Sequence, residues 1–226
     1  MTTQDMARLE ARFLASMDQE LRTPLNSIIG LAEILAGGLA PDPRRQAEFA
    51  GQILAKARQL LQLTNNLLEL ARADAGLLNL VTQPADLAEL LGDALRMVED
   101  AATRRGVEIS ADLEQAPPRV AVDASRIMHA LHGLLTAAIA LTPAGSKVAL
   151  RIAPEGADRV RLELTGPAIG PGSTGEFIVP TPGAWLGLAL ARGILEAHGG
   201  KVGVTRLHGG TTLLHATLPG VISRRP

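Results

Sequence analysis

Apolar residues recur along the first part of the chain at three- and four-residue steps: Met6, Leu9, Phe13, Met17, Leu21, Leu25, Ile28, Ala32 and Leu35. That spacing lays one stripe along a long helix, predicted from Asp5 to Ala36 and ended by Gly37-Gly38 and the turn-forming Pro41-Asp42-Pro43. Pro24 falls inside it. A missing N–H and a crowded carbonyl four residues back predict a bend near Gln19 to Leu21. A second stripe, with Phe49, Ile53, Ala57, Leu60, Leu61, Thr64, Leu67, Leu68 and Ala71, predicts a helix from Arg44 to about Ala75 that Gly76 stops. Two helices on a short connector form an antiparallel hairpin, and two helices alone cannot cover both stripes. A second copy completes a four-helix bundle, so the pattern predicts a homodimer; the alternative packs the hairpin on the rest of its own chain.

After Gly76 the rhythm changes to short runs of β type and shorter helices. Strands are predicted near Leu77 to Val81, Val107 to Leu113, Arg119 to Val122, Lys147 to Ala153 and Arg159 to Thr165, with a final hairpin of Lys201 to Arg206 and Thr211 to Leu218. Helices are predicted from Asp86 to Arg105, from Asp123 to about Leu141 and from Trp185 to His198, the first two capped by their aspartates. Residues Gly166 to Gly183, rich in Gly, Pro, Ser and Thr, read as loop. The fold class is therefore α+β: a helical hairpin over residues 1–76, then a layered α/β domain over 77–226 with helices against one mixed sheet.

Composition narrows the chemistry. The apolar share of 46% is enough for a real core, and with aromatics at 2% that core is built from Leu, Ala, Val and Ile. A net charge of −1 gives no electrostatic reason to expect nucleic acid or an anionic membrane as partner. The absence of cysteine excludes disulfides and thiolate metal sites and fits a reducing cytosol. No apolar run approaches the ~20 residues that span a bilayer, and the start lacks the basic and apolar parts of a signal peptide. These features predict a cytoplasmic segment, or the cytoplasmic part of a longer sensor.

The stretch Ser16-Met17-Asp18-Gln19-Glu20-Leu21-Arg22-Thr23-Pro24-Leu25 resembles the phospho-acceptor box of sensor histidine kinases, Ser-His-Glu-Leu-Arg-Thr-Pro-Leu. Gln19 stands where that family has histidine. A carboxamide nitrogen is delocalised and its oxygen is a poor nucleophile, so phosphoryl storage at Gln19 is excluded. The order of the second domain is similar to the ATP-binding domain of the same family and of gyrase-type ATPases, so the resemblance covers nearly the whole chain.

Its three nucleotide boxes are eroded. The family's Asn-Leu-Leu-Ser-Asn-Ala-Ile-Lys-Phe-Thr-Pro reads here Gly133-Leu134-Leu135-Thr136-Ala137-Ala138-Ile139-Ala140-Leu141-Thr142-Pro143. Gly133 and Ala137 replace both asparagines that hold magnesium and phosphate, and Ala140 replaces the basic residue. The adenine-binding Asp-Thr-Gly box reads Leu164-Thr165-Gly166, and Leu164 cannot accept a hydrogen bond. The third box, Gly-Thr-Gly-Leu-Gly-Leu, reads Gly183-Ala184-Trp185-Leu186-Gly187-Leu188, with Trp185 on the middle glycine, and the lid between looks short. The resemblance thus implies no cofactor: ATP and magnesium binding are expected to be lost. Leu164 and Trp185 are expected to fill part of the vacated pocket.

The expectation is a degenerate histidine kinase, catalytically inactive, similar to the DivL-like pseudokinases in which tyrosine replaces the acceptor. It would bind a response-regulator receiver domain or another kinase through Asp18, Gln19, Glu20, Arg22 and Thr23 and regulate phosphorelay flux. One alternative is a phosphatase of a phosphorylated receiver, using Glu20 and Thr23 to orient water; another is a kinase or phosphotransferase carrying an engineered Gln19. His129 and His132, three apart on one helix, show no nearby Asp, Glu or His to complete a metal site and read as ordinary helix residues. His198, before Gly199-Gly200, reads as a structural helix-end residue; His208, His215 and the basic end Arg224-Arg225 carry no motif.

Overall fold

A computed structural model describes residues 3–40, 42–113, 119–156, 158–167, 182–206 and 211–219, with side chains from Met17 onward. The lid segment, His208 and Arg224-Arg225 lie outside the described residues. The chain divides between Leu68 and Glu69 into two compact units.

The first unit is a helical hairpin of α1 (Thr3–Ala36) and α2 (Pro43–Asp74). α1 continues through Pro24, which is buried, as is Met17. Gly38 takes a left-handed φ of 66° in the connector, a conformation that costs a side-chain-bearing residue energy. Each helix keeps a second apolar face in solvent: Leu25 and Ile29 on α1, and Leu54, Leu61 and Leu68 at seven-residue steps on α2.

The second unit carries the sheet. Its elements in order are β1 (Gln83–Asp86), α3 (Leu87–Arg105), β2 (Glu108–Asp112), β3 (Arg119–Val122), α4 (Ala124–Leu141), β4 (Lys147–Glu155), β5 (Arg159–Pro167), α5 (Pro182–Ala197), β6 (Lys201–Arg206) and β7 (Thr211–Pro219). Five strands form one mixed sheet in the order β2-β4-β5-β7-β6, parallel only between β2 and β4. Alternation along β4, β5 and β7 turns Leu150, Leu162, Leu164, Leu214 and Ala216 inward, where they join Leu91 of α3, Leu131 and Leu134 of α4, and Ile194 of α5 in one core.

Local signals explain the helix starts. The Asp86 carboxylate accepts from the N–H groups of Ala88 and Glu89, and Asp123 accepts from Arg126 N–H, so both aspartates cap as their spacing predicts. Gly106, at φ 67°, ends α3.

The strand expected over Leu77 to Val81 is not formed. Strand β1 lies further on, at Gln83–Asp86, paired antiparallel with β3. The apolar run ahead of it is held by side chains instead of a ladder: Val81 N–H donates to Asp123 Oδ2 at 3.1 Å, Asn79 O accepts from Arg126 Nη2 at 3.4 Å, and Leu78 packs on the core. By length and composition one described helix, α4, suffices to cross a membrane, with a mean hydropathy of 1.2; it is the core helix of this domain.

Candidate functional site

On α1, the face carrying the box resemblance is open to solvent. Asp18, Gln19, Arg22 and Thr23 are exposed and Glu20 is half-buried. Arg22 Nε donates to Asp18 Oδ1 at 2.9 Å, an i,i+4 pair with both members in water and of small stabilising value. The Thr23 hydroxyl donates to the Gln19 carbonyl at 2.8 Å, four residues back. Pro24 supplies no N–H for the carbonyl of Glu20, so one acceptor on this turn is left without its helical donor. Among the described residues nothing restrains the Gln19 carboxamide.

In the second unit, α4 and α5 bring two box positions together. Gly133 and Gly187 meet backbone to backbone: a β-carbon on Gly133 would overlap the Gly187 carbonyl oxygen and stand 2.9 Å from its carbonyl carbon. Gly133, Ala137, Leu164 and Gly166 are all buried, and Leu164 is a core residue. At the far end of α4, Arg105 Nη2 from α3 donates to the carbonyl of Ala140 at 2.6 Å. A cation therefore engages the carbonyl end of α4.

Comparison with known proteins places this geometry. Residues 9–76 match the His Kinase A (phospho-acceptor) domain, and residues 122–221 match the histidine kinase-, DNA gyrase B- and HSP90-like ATPase domain. Together they span most of the chain. The histidine protein kinase DivJ of Caulobacter vibrioides is 31% identical over 92% of this chain and 37% of its own. The signal transduction histidine-protein kinase/phosphatase MprB of Mycolicibacterium vanbaalenii is 29% identical over 93% of this chain and 46% of its own. Among solved structures, histidine kinase ThkA in complex with response regulator protein TrrA superposes with a TM-score of 0.60 at 20% identity, covering 98% of this chain and 65% of that one.

The chain belongs to the histidine kinase family of two-component signalling.

It spans less than half the length of the curated relatives named here. Family membership corrects one expectation. A catalytically inactive protein was expected from the boxes, whereas the matched domains and relatives are those of histidine kinases and of a kinase/phosphatase. Eroded boxes describe which contacts are missing, and this does not amount to inactivity.

Within this kinase fold Trp185 lies at the edge of the sheet. It is half-buried and lines a groove of about 360 Å³ with Leu188, Arg192, Val202 and Val204, between α5 and the edge strand β6. Leu164 is not in that lining. Three residues separate Trp185 from Leu188 and seven from Arg192, so all three share one helix face, which turns toward β6.

Sequence reasoning missed a polar cluster at the start of α4. Arg126 Nη1 donates to Glu69 Oε1 at 2.6 Å, and the His129 Nδ1 stands 3.2 Å from Glu69 Oε2. A partner for His129 thus exists, 60 residues back along the chain. Asp123 N–H donates to His198 Nε2 at 3.0 Å, and His198 Nδ1 donates to the Ile194 carbonyl at 2.7 Å, which fixes a neutral tautomer bridging α5 to α4. Burial raises the Asp123 pKa, but N–H donation from Val81 and Arg126 and the charge of Arg126 outweigh it, leaving the carboxyl below its ordinary range. Among the described residues no group of three or more His, Asp or Glu converges as a metal site.

Proposed function

We propose that this chain works at the receiver end of a two-component relay. Its hairpin docks the receiver domain of a response regulator, or a partner kinase, through Asp18, Gln19, Glu20, Arg22 and Thr23, and thereby alters phosphoryl flux. Gln19 itself takes no phosphoryl group. The observation that carries the reading is the pairing of an exposed, largely intact recognition turn on α1 with the Gly133–Gly187 contact at the positions that would face metal and phosphate.

That contact bears on the cofactor. No side-chain oxygen stands at 133, 137 or 164, and the backbone of Gly187 is covered by α4. Each missing polar contact costs roughly 1–3 kcal/mol, so we propose that ATP and magnesium no longer bind in the cellular range. No step of this reading passes through them.

Two copies are part of the proposal. The exposed leucines of α2 and Leu25 and Ile29 of α1 form the uncovered seam of a four-helix bundle. The ThkA complex with its response regulator supports the same kind of partner here.

A second reading is favoured by one contact. Thr23 donates its proton to the Gln19 carbonyl and keeps its hydroxyl oxygen free to accept from a water; with Glu20 beside it, the turn suits hydrolysis of a phosphorylated receiver, and the relative MprB is a kinase/phosphatase. The experiment is titration of the full chain with a receiver domain, with and without beryllofluoride. Micromolar binding that weakens about tenfold in Asp18→Arg supports docking, and no saturable binding to any receiver of the same organism refutes it.

A further inference from the structure

The end of α2 and its connection to β1, together residues 69–82, are fastened to α4 through one carboxylate. Glu69 is only 15% exposed and sits between two cationic or donor groups of α4, Arg126 at 2.6 Å and His129 at 3.2 Å. Arg126 also stands 3.6 Å from Asp123 and donates to the Asn79 carbonyl, and Asp123 in turn holds Val81 N–H. An arginine in the first turn of a helix opposes the helix dipole, so its place needs the carboxylates it meets. The apolar side of the strap is thin by comparison: Leu70 and Leu78 are partly buried on the core, and Ala73 meets Gly193 of α5, where an added β-carbon would stand 2.7 Å away.

We propose that Glu69, Arg126 and His129 form a releasable latch: engaged, it seats residues 69–82 on α4; open, it frees that strap while the sheet and its helices stay folded. Two features make the strap a separate element. Beyond α2, residues 75–82 pair with no strand, and the polar fastenings of Glu69, Asn79 and Val81 converge on the start of α4. The latch is independent of whether a receiver docks on α1.

Hydrogen–deuterium exchange on the full chain tests it. Glu69→Gln keeps the shape and removes the charge. Losing a charge-assisted bond should raise exchange over 69–82 by about tenfold or more, with β4, β5 and β7 within about twofold of the parent. Unchanged exchange over 69–82 overturns the latch. So does an equal rise across the whole domain, which would make Glu69 one more support of the fold. If Glu69→Gln fails to fold, His129→Gln probes the weaker arm: a rise confined to 69–82 supports the latch, and its absence overturns it.

Discussion

Gly133 of α4 and Gly187 of α5 touch through their backbones, with the α-carbon of Gly133 3.2 Å from where a Gly187 β-carbon would stand. The contact requires glycine at 133, where a β-carbon would run into the Gly187 carbonyl, while a β-carbon at 187 would fit only tightly. The contact thus joins a position where this chain departs from the first box to a glycine that matches the third. With glycine at 133 there is no polar side chain at that position, and the backbone of α5 sits directly against α4.

Reintroducing a side chain there should therefore cost stability. Gly133→Ala puts a methyl group into the Gly187 carbonyl, and overpacking of this kind costs about 1–3 kcal/mol or more. Denaturant melts should show that loss, larger in Gly133→Asn. Calorimetry of Gly133→Asn with magnesium and ATP should show no recovered binding, because the amide cannot enter without moving α5. A stable Gly133→Asn variant that binds nucleotide would overturn the packing account.

The recognition turn separates docking from hydrolysis. Thr23→Ala removes the hydroxyl that bonds the Gln19 carbonyl and leaves Asp18 and Arg22 in place. If the turn orients water, accelerated loss of phosphate from a receiver should fall at least about tenfold, the low end for positioned proton transfer, while receiver affinity stays within about twofold. Phosphate release with and without Thr23→Ala, at equal receiver occupancy, reads the split.

Acid should destabilise the domain in two steps. His132 has its pKa lowered by burial and by the neighbouring His129; His215 has its own lowered by burial and Arg161, with Glu155 and Glu163 pulling the other way. A histidine with a depressed folded pKa is taken up as a proton more readily by the unfolded chain. Its contribution is intact above the ordinary value of about 6.5 and fades as pH falls through it. Asp123 is depressed as well, so its contribution persists until pH falls through its lowered value, in the carboxylate range or below. Thermal melts from about pH 7.5 to 5.5 should show the first step, flattened in His132→Leu.

How much of this was readable beforehand follows from sequence separation. The long helices declare themselves through three- and four-residue spacing, and Asp86 and Asp123 sit next to the N–H groups they cap. Strand β1 was misplaced because Leu77 to Val81 has the apolar content of a strand, while pairing is decided by β3, more than thirty residues on. Glu69 looks like any polar residue at the end of an amphipathic helix until Arg126 folds back to it. Trp185 occupies a box position, and its side chain turns to the β6 edge because helix geometry groups it with Leu188 and Arg192. The identity of the boxes was legible; the Gly133–Gly187 closure was not, because no single box contains both partners.

The hairpin seam gives the last test. Leu54, Leu61 and Leu68 stand at seven-residue steps with exposures of 51%, 61% and 53%, too many large apolar groups in register for a solvent face. Burying the exposed half of each in a bundle is worth roughly 1 kcal/mol, and in a symmetric pair every substitution acts twice. Leu61, the most exposed and the middle one, is the informative position: Leu61→Glu places two carboxylates in the seam. Sedimentation equilibrium should show a dimer for the parent chain and a monomer for Leu61→Glu, with helix content by circular dichroism lowered chiefly in the hairpin. A parent chain that is monomeric at tens of micromolar would show that its own remainder, or a different partner, covers the stripe.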